Sequence, residues 1–387
     1  MTTRPSAAIV GLGLAGLTRT ESAAAPMLAA MAIRDALADA GLAPGDIDGC
    51  MLHRSGAASE SSFGLSHLAL AGLRDLRLAQ VILCDGASSI AGVQTAAMAV
   101  AVGAARYVVC VFADAALKPD KRISETFGRV KTVEGIAGLR YTAGLIGGAA
   151  SHALVASRYM QRYGVTPEQL GAVAVSTRKW AAMNPRAVFR DPLTLEAYLA
   201  ARYVAEPLRL YDCAIPVNGA IAVIVASVED ARDLRQPPVH VLGFGQGHGN
   251  HPDQRGCPYP EEGAALAAGM AYRMAGAGPR DVTQCQIYDA FSINTLLMLE
   301  QYGLCEAGEA AHLVARGDTG PGGVLPVNTG GGHLSGYYLQ GMTPIAEAVC
   351  QARGQAGERQ CPNGLILITN EGGQFDHHAC LLVSPGA

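Results

Sequence analysis

Apolar positions in this chain follow two alternating patterns: short unbroken runs and longer stretches spaced three and four residues apart. The first run, Ala7 to Gly11, reads as a buried strand. Residues 25–40 carry helical spacing and stop at Gly41, with Pro44 just beyond. A strand is predicted over 49–52 and a helix over 67–76, with Ser66 as N-cap. A compact unit follows: strand 80–83, turn Cys84-Asp85-Gly86, helix 88–102 capped by Ser88 or Ser89 and closed by Gly103, then strand 107–112. Strand, helix and strand in that order make a right-handed parallel unit.

The pattern becomes more polar from Asp114 to about Leu208, with helical stretches such as 149–163, and reads as an insertion over one end of the sheet. Strand character returns over 211–227, with a turn at Asn218-Gly219, and 232–238 reads as a linker. The second half then restates the first: strand 239–244, helix 261–275, short strand 286–288, helix 293–302, and two closing strands over 364–369 and 379–383. Between them lies PVNTGGGHLSGYYLQGMTP (326–344), an apolar entry, a glycine turn and a helical exit, matching the 80–103 unit in design. Two copies of one pattern describe an internal duplication. The expected division is 1–113 with 209–235 as the first half, 114–208 as the insertion, and 236–387 as the second half.

Composition narrows the function classes. Half of the 387 residues are hydrophobic, many of them Ala and Gly, which suits helices packed closely on a sheet. With a net charge of −4 and no basic stripe, nucleic acid is not an expected partner. The ten cysteines stand singly with no CxxC pair, so no zinc ribbon is expected within the chain. The apolar run at the start is too short for a signal peptide, and that over 96–105 is too short for a bilayer. A reducing, cytoplasmic setting is expected. GLGLAG after the first strand has the spacing of a dinucleotide fingerprint. It lacks the helix opening on the glycines and the acidic residue ending the next strand.

Several stretches together carry a resemblance: ASRYMQRYGVTPEQLGAVAVSTRKWAAMNP, PLRLYDCAIPVNGAIAVIVAS, IYDAFSINTLL, NTGGGHLSGYYLQGM and ITNEGG. They resemble the thiolase superfamily, in its sterol-carrier-protein-x-type branch, nearly end to end. The resemblance implies an α/β thiolase fold: duplicated βαβαβ halves in five layers, α-β-α-β-α, with an inserted loop domain. It also implies a coenzyme A thioester substrate and no covalent cofactor.

The departures from that family bear on chemistry. Thiolases place a nucleophilic Cys in the turn before the central helix of the first half; counting back from Gly103, Gly86 stands there. Tyr288, in YDAF, stands where His or Asn is expected. Tyr338 corresponds to the family's loop His, with Tyr337 as the alternative because loop length leaves one residue of ambiguity. Asn370 replaces the Cys of the CxGG element. Neither Gly86 nor Asn370 can act as nucleophile or base. This Cys-less pattern looks like the bacterial thiolase-like aldolases of steroid side-chain degradation. Those cleave a β-hydroxyacyl-CoA by retro-aldol reaction alongside a small OB-fold and zinc-ribbon partner. The resemblance thus implies a homodimer core within a heterotetramer.

Retro-aldol cleavage needs a base for the hydroxyl proton, an acid for the α-carbon and donors for the enolate oxygen. Tyr288 and Tyr338 are the expected catalytic pair, with base and acid unassigned. Gly331, Gly332, Gly372 and Gly373 are candidate backbone donors, and His333 a candidate substrate contact. Asp289 reads as the cap of the following helix or as an orienting group. His377 and His378, neighbours on a strand, point to opposite faces, and no metal site is expected. Cys84 carries the rival reading: a thiolate near a helix N-terminus would make an acyltransferase. A scaffold that binds acyl-CoA without catalysis is the other alternative.

Overall fold

The computed structural model describes residues 6–20, 22–53, 64–118, 138–139, 142–248 and 261–386, with side chains from 263 in the last segment. Residues 119–137 of the expected insertion, the first five residues and Cys257 lie outside the described residues.

The first half runs β1 (Ala7–Thr18), α1 (Ala25–Ala40), β2 (Gly49–His53), β3 (Leu78–Ile82), α2 (Ser88–Ala101) and β4 (Tyr107–Asp114). Helices α3 (Gly147–Tyr163), α4 (Pro167–Ala182) and α5 (Leu195–Ala200) follow, with β5 (Tyr203–Ala205) and β6 (Leu208–Arg209) paired as a separate ribbon. β7 (Asn218–Ser227) returns to the main sheet. Then come β8 (Val239–His248), α6 (Glu261–Ala275), β9 (Val282–Ile287), α7 (Ser292–Gln301), α8 (Ala310–Ala315), α9 (Met342–Ala352), β10 (Leu365–Gly372) and β11 (His377–Pro385).

Among the described residues the main sheet has nine strands in the order β3-β2-β4-β7-β1-β8-β11-β10-β9. β2 is parallel to β3 and β4, and β9 to β10. The halves join where Ala7–Ile9 of β1 pair antiparallel with Val239–Val241 of β8.

Three apolar cores explain the layering. One lies between α1 and its side of the first-half strands, with Ile33, Leu37, Val109 and Ile224. A second packs α6 and α7 on the second-half strands, with Tyr272, Leu296 and Leu382. The third lies between the halves: Ile90 and Val93 of α2 meet Ile345 and Val349 of α9, with strand residues from both sides. All eleven residues of α9 are buried. Its polar members are paired in place, Glu347 with Arg359 at 3.0 Å and Gln351 with Thr329 at 2.9 Å, as an interior position requires. The layers are thus α1, sheet, α2 with α9, sheet, and α6 with α7.

Local physics explains where pattern reading went astray. The first strand does not stop at Gly11: GLGLAG belongs to β1, which runs on to Thr18. A Cβ at Gly13 would come 2.0 Å from the Ala32 carbonyl, so the glycine lets α1 press onto the strand. Asn218-Gly219 opens β7 and is not a turn: the Asn218 amide bonds Leu117 N–H at 2.9 Å and Leu117 O at 3.0 Å. The expected helix over 67–76 is a 3-10 helix, Leu65–Ala71, with Gly64 and not Ser66 at its N-cap. The segment before α2 tightens into a 3-10 turn over Asp85–Ala87. Neither serine after it caps α2. Ser88 Oγ accepts from Cys84 N–H at 2.7 Å, and the Ser89 hydroxyl bonds His53 Nδ1 at 2.7 Å.

Candidate active site

Three segments converge at the carboxyl ends of strands, the usual place for a ligand in an α/β sheet. β3 leads into the turn 84–87, β9 into Tyr288, and β10 ends in Asn370-Glu371-Gly372. Tyr288 N–H bonds the carbonyl of Thr369 at 3.1 Å, which fixes the ring beside the end of β10. The loop from Gly331 arrives from the other side. Tyr338 N–H bonds Ile215 O at 2.9 Å, so Tyr338 is held at the start of the segment leading into β7.

The hydroxyls of Tyr288 and Tyr338 stand 2.8 Å apart. Tyr288 also donates to Gln340 Oε1 at 2.8 Å. Because an amide oxygen only accepts, the Tyr288 proton is directed there and Tyr338 donates to Tyr288. Burial, then the neighbouring Tyr338 and Glu371, push the Tyr288 phenol well above its ordinary value. Burial raises Tyr338 too, although its hydrogen bond with Tyr288 works the other way. Both phenols are therefore neutral at physiological pH. Tyr337, the alternative from the loop count, is 5% exposed and packs into the core between the halves.

His333 is fully buried beneath the pair. Its ring meets Tyr288 edge-on at 4.8 Å and Tyr338 at 5.0 Å. Its Nε2 donates to Gln340 O at 3.0 Å, which leaves Nδ1 as the acceptor. Burial holds the imidazole down to about 3, so it is neutral. Asp289 accepts His333 N–H at 2.7 Å, and the same oxygen lies 3.4 Å from Nδ1. Burial raises this carboxyl to about 7 against several hydrogen bonds that lower it. Asp289 thus fastens the loop; Phe291 stands at the N-cap of α7.

Gly86, the position expected to stand where thiolases carry their nucleophile, has no room for a side chain. A Cβ on Gly86 would lie 2.6 Å from the Tyr288 hydroxyl and 2.1 Å from Glu371 O. Gly372 lets β10 close on that turn, since a Cβ there would reach 2.2 Å from Cys84 O. Asn370 Oδ1 accepts Ile90 N–H at 3.3 Å, stitching β10 to the first turn of α2. Gly331 and Gly332 take φ of 91° and 52°, and Gly331 donates its N–H to Asn328 O at 2.8 Å. Gly373, φ 65°, packs near His377 and Asp85. The Cys84 thiol is half-buried and its pKa is raised, first by burial and then by Asp85. Pattern reading missed Gln340. A polar residue between Leu339 and Gly341 gives no sign that both its oxygens turn inward.

Comparison with known proteins agrees with this geometry. Residues 248–384 match the family described as thiolase C-terminal domain-like. The chain is 39% identical over 381 residues to the 17-hydroxy-3-oxo-4-pregnene-20-carboxyl-CoA lyase of Mycobacterium tuberculosis, covering 94% of this chain and 95% of that one. It is 37% identical to the steroid side-chain-cleaving aldolase of Thermomonospora curvata, with 94% of each chain covered. The solved structure described as Ltp2-ChsH2(DUF35) aldolase superposes with a TM-score of 0.86 at 34% identity, covering 98% of both chains. The chain belongs to the thiolase superfamily, and within it to the thiolase-like aldolase branch. No described helix is long and apolar enough to cross a membrane.

Proposed function

We propose that this protein is an acyl-CoA aldolase that cleaves a β-hydroxyacyl-CoA into a ketone or aldehyde and a shorter acyl-CoA. The observation that carries the reading is the 2.8 Å contact between the Tyr288 and Tyr338 hydroxyls where a nucleophile would need space. The two phenols form a neutral relay. Tyr338 takes the substrate hydroxyl proton as it passes its own to Tyr288, and Tyr288 releases the proton it had donated to Gln340 to the α-carbon. The Cα–Cβ electron pair moves into the thioester enolate and returns to the new C–H bond. Each tyrosine ends with the proton count it began with, so no acyl-enzyme is formed. The raised phenol pKa values suit groups that exchange protons without resting as phenolates.

A steroid or similarly bulky acyl group is the proposed substrate class, in line with the names of both relatives. The proposed partner is a small OB-fold and zinc-ribbon protein, supported by the likeness to the structure described as Ltp2-ChsH2(DUF35) aldolase. A homodimer core is proposed at the β3 edge, where Val81 on the terminal strand and Leu83 just past it are 46% and 73% exposed. The cytoplasm is the proposed compartment. The test is mass spectrometry of reactions with β-hydroxyacyl-CoAs, the chain being co-expressed with such a partner. Ketone or aldehyde release that is lost in Tyr338→Phe supports the reading. Thiolysis with an acyl group on Cys84 would sink it.

A further inference from the structure

Gln340 sits in a backbone conformation that side chains avoid. Its φ is 52°, in the left-handed region, which residues other than Gly, Asn and Asp rarely adopt. Strain of this kind collects where a side chain is held for a purpose. On its C-terminal side, Gly341 allows an approach that a Cβ would block at 1.9 Å from Asn370 Oδ1. Both oxygens of Gln340 are engaged in the site. The main-chain oxygen accepts from His333 Nε2 at 3.0 Å, and Oε1 accepts from Tyr288 at 2.8 Å.

We infer that Gln340 is a positioning residue that sets the polarity of the two-tyrosine relay. The inference rests on the reading of Tyr288 and Tyr338 as the proton-transfer pair. With an acceptor on its far side, the Tyr288 hydroxyl points away from Tyr338. The Tyr288 oxygen is then left to accept from Tyr338 across 2.8 Å. The Tyr338 lone pairs stay open to receive a proton. Without that acceptor the order reverses: Tyr288 donates to Tyr338, and the Tyr338 proton points outward, opposing proton uptake from a substrate hydroxyl. The same oxygen also makes the two phenols unequal. Charge on Tyr288 would face the lone pairs of Gln340, whereas charge on Tyr338 would not.

The experiment places a fluorinated tyrosine, whose phenol is more acidic, at 288 or at 338 of the full chain. The phenol is then titrated by fluorine NMR. In the otherwise unchanged protein the phenol at 338 is expected to ionise at lower pH than the one at 288. Gln340→Asn and Gln340→Gly, both at ease in a left-handed turn, are expected to close that gap. They should also lower kcat about tenfold with KM within about twofold, the selectivity of one hydrogen bond. Gln340→Glu, still an acceptor, should keep the order. Ionisation at 288 first, or a gap that survives in both the Asn and Gly variants, overturns the proposal. The titration needs no substrate. A wild-type chain that cleaves no β-hydroxyacyl-CoA therefore defeats the aldolase reading while the NMR result still decides on Gln340.

Discussion

Replacing Gly86 with alanine tests whether the place of the missing nucleophile has been filled. The new methyl would stand 2.6 Å from Cζ and the hydroxyl of Tyr288, and 2.1 Å from the Glu371 carbonyl. Relaxed contacts need about 3.5 Å, so the phenol must retreat by roughly 0.9 Å and the carbonyl by more. Glu371 lies in β10, opposite His378 of β11, which limits how far it can yield. Overpacking of this kind costs about 1–3 kcal/mol. A shift of that size away from Tyr338 would stretch the 2.8 Å bond between the hydroxyls beyond hydrogen-bonding reach. A misplacement near 1 Å costs on the order of a hundredfold in rate. The expected result for Gly86→Ala is therefore kcat down about a hundredfold and a lower midpoint in chemical denaturation, measured side by side. Gly86→Cys should fare no better, with no acyl group on the introduced thiol. Wild-type kcat and midpoint in Gly86→Ala, or an acyl-enzyme in Gly86→Cys, would refute the reasoning.

Tyr288→Phe and Tyr338→Phe should each abolish most turnover. Tyr288→Phe should destabilise more in denaturation, because it leaves both Tyr338 and Gln340 without their bond; equal stabilities would contradict the assigned directions. Cys84→Ala should be close to silent in kcat, and the wild-type thiol should resist alkylation at neutral pH, as its raised pKa requires. Acidification should weaken the fold. Burial holds His53 and His333 at about 3 and His378 at about 4, so the unfolded chain, titrating near 6.5, binds their protons first. Their contribution is whole above pH about 6.5 and is lost as pH falls toward those values. Asp289, raised to about 7, opposes this: its share is present below pH about 4 and is lost as pH rises through about 7. With three groups against one, the denaturation midpoint should drop between pH 7.5 and 5; a midpoint that holds or rises would be inconsistent.

Elements governed by local pattern were legible in the chain. Helix 261–275 was read to the residue, and the strand–turn–helix around Gly86 within two residues. Tyr288 and Tyr338 were singled out through motif resemblance, and the structure brings their hydroxyls together. Features set by distant contacts were not legible. Asn218-Gly219 has the composition of a turn, yet Leu117, 101 residues away, holds Asn218 extended. Asp289 has the chemistry of a helix cap, yet it serves an N–H 44 residues downstream. Gln340 is polar in an apolar stretch, and nothing nearby in sequence says that a phenol 52 residues earlier donates to it.

The core between the halves belongs to neither alone. α2 sends Gln94 across to the carbonyls of Gly245 and Cys380, at 2.9 and 3.2 Å, while Ile90 and Ile345 share one apolar layer. A lone half would present an oily helix and a sheet face to water. Either half expressed by itself is therefore expected to pair with a second copy or to aggregate.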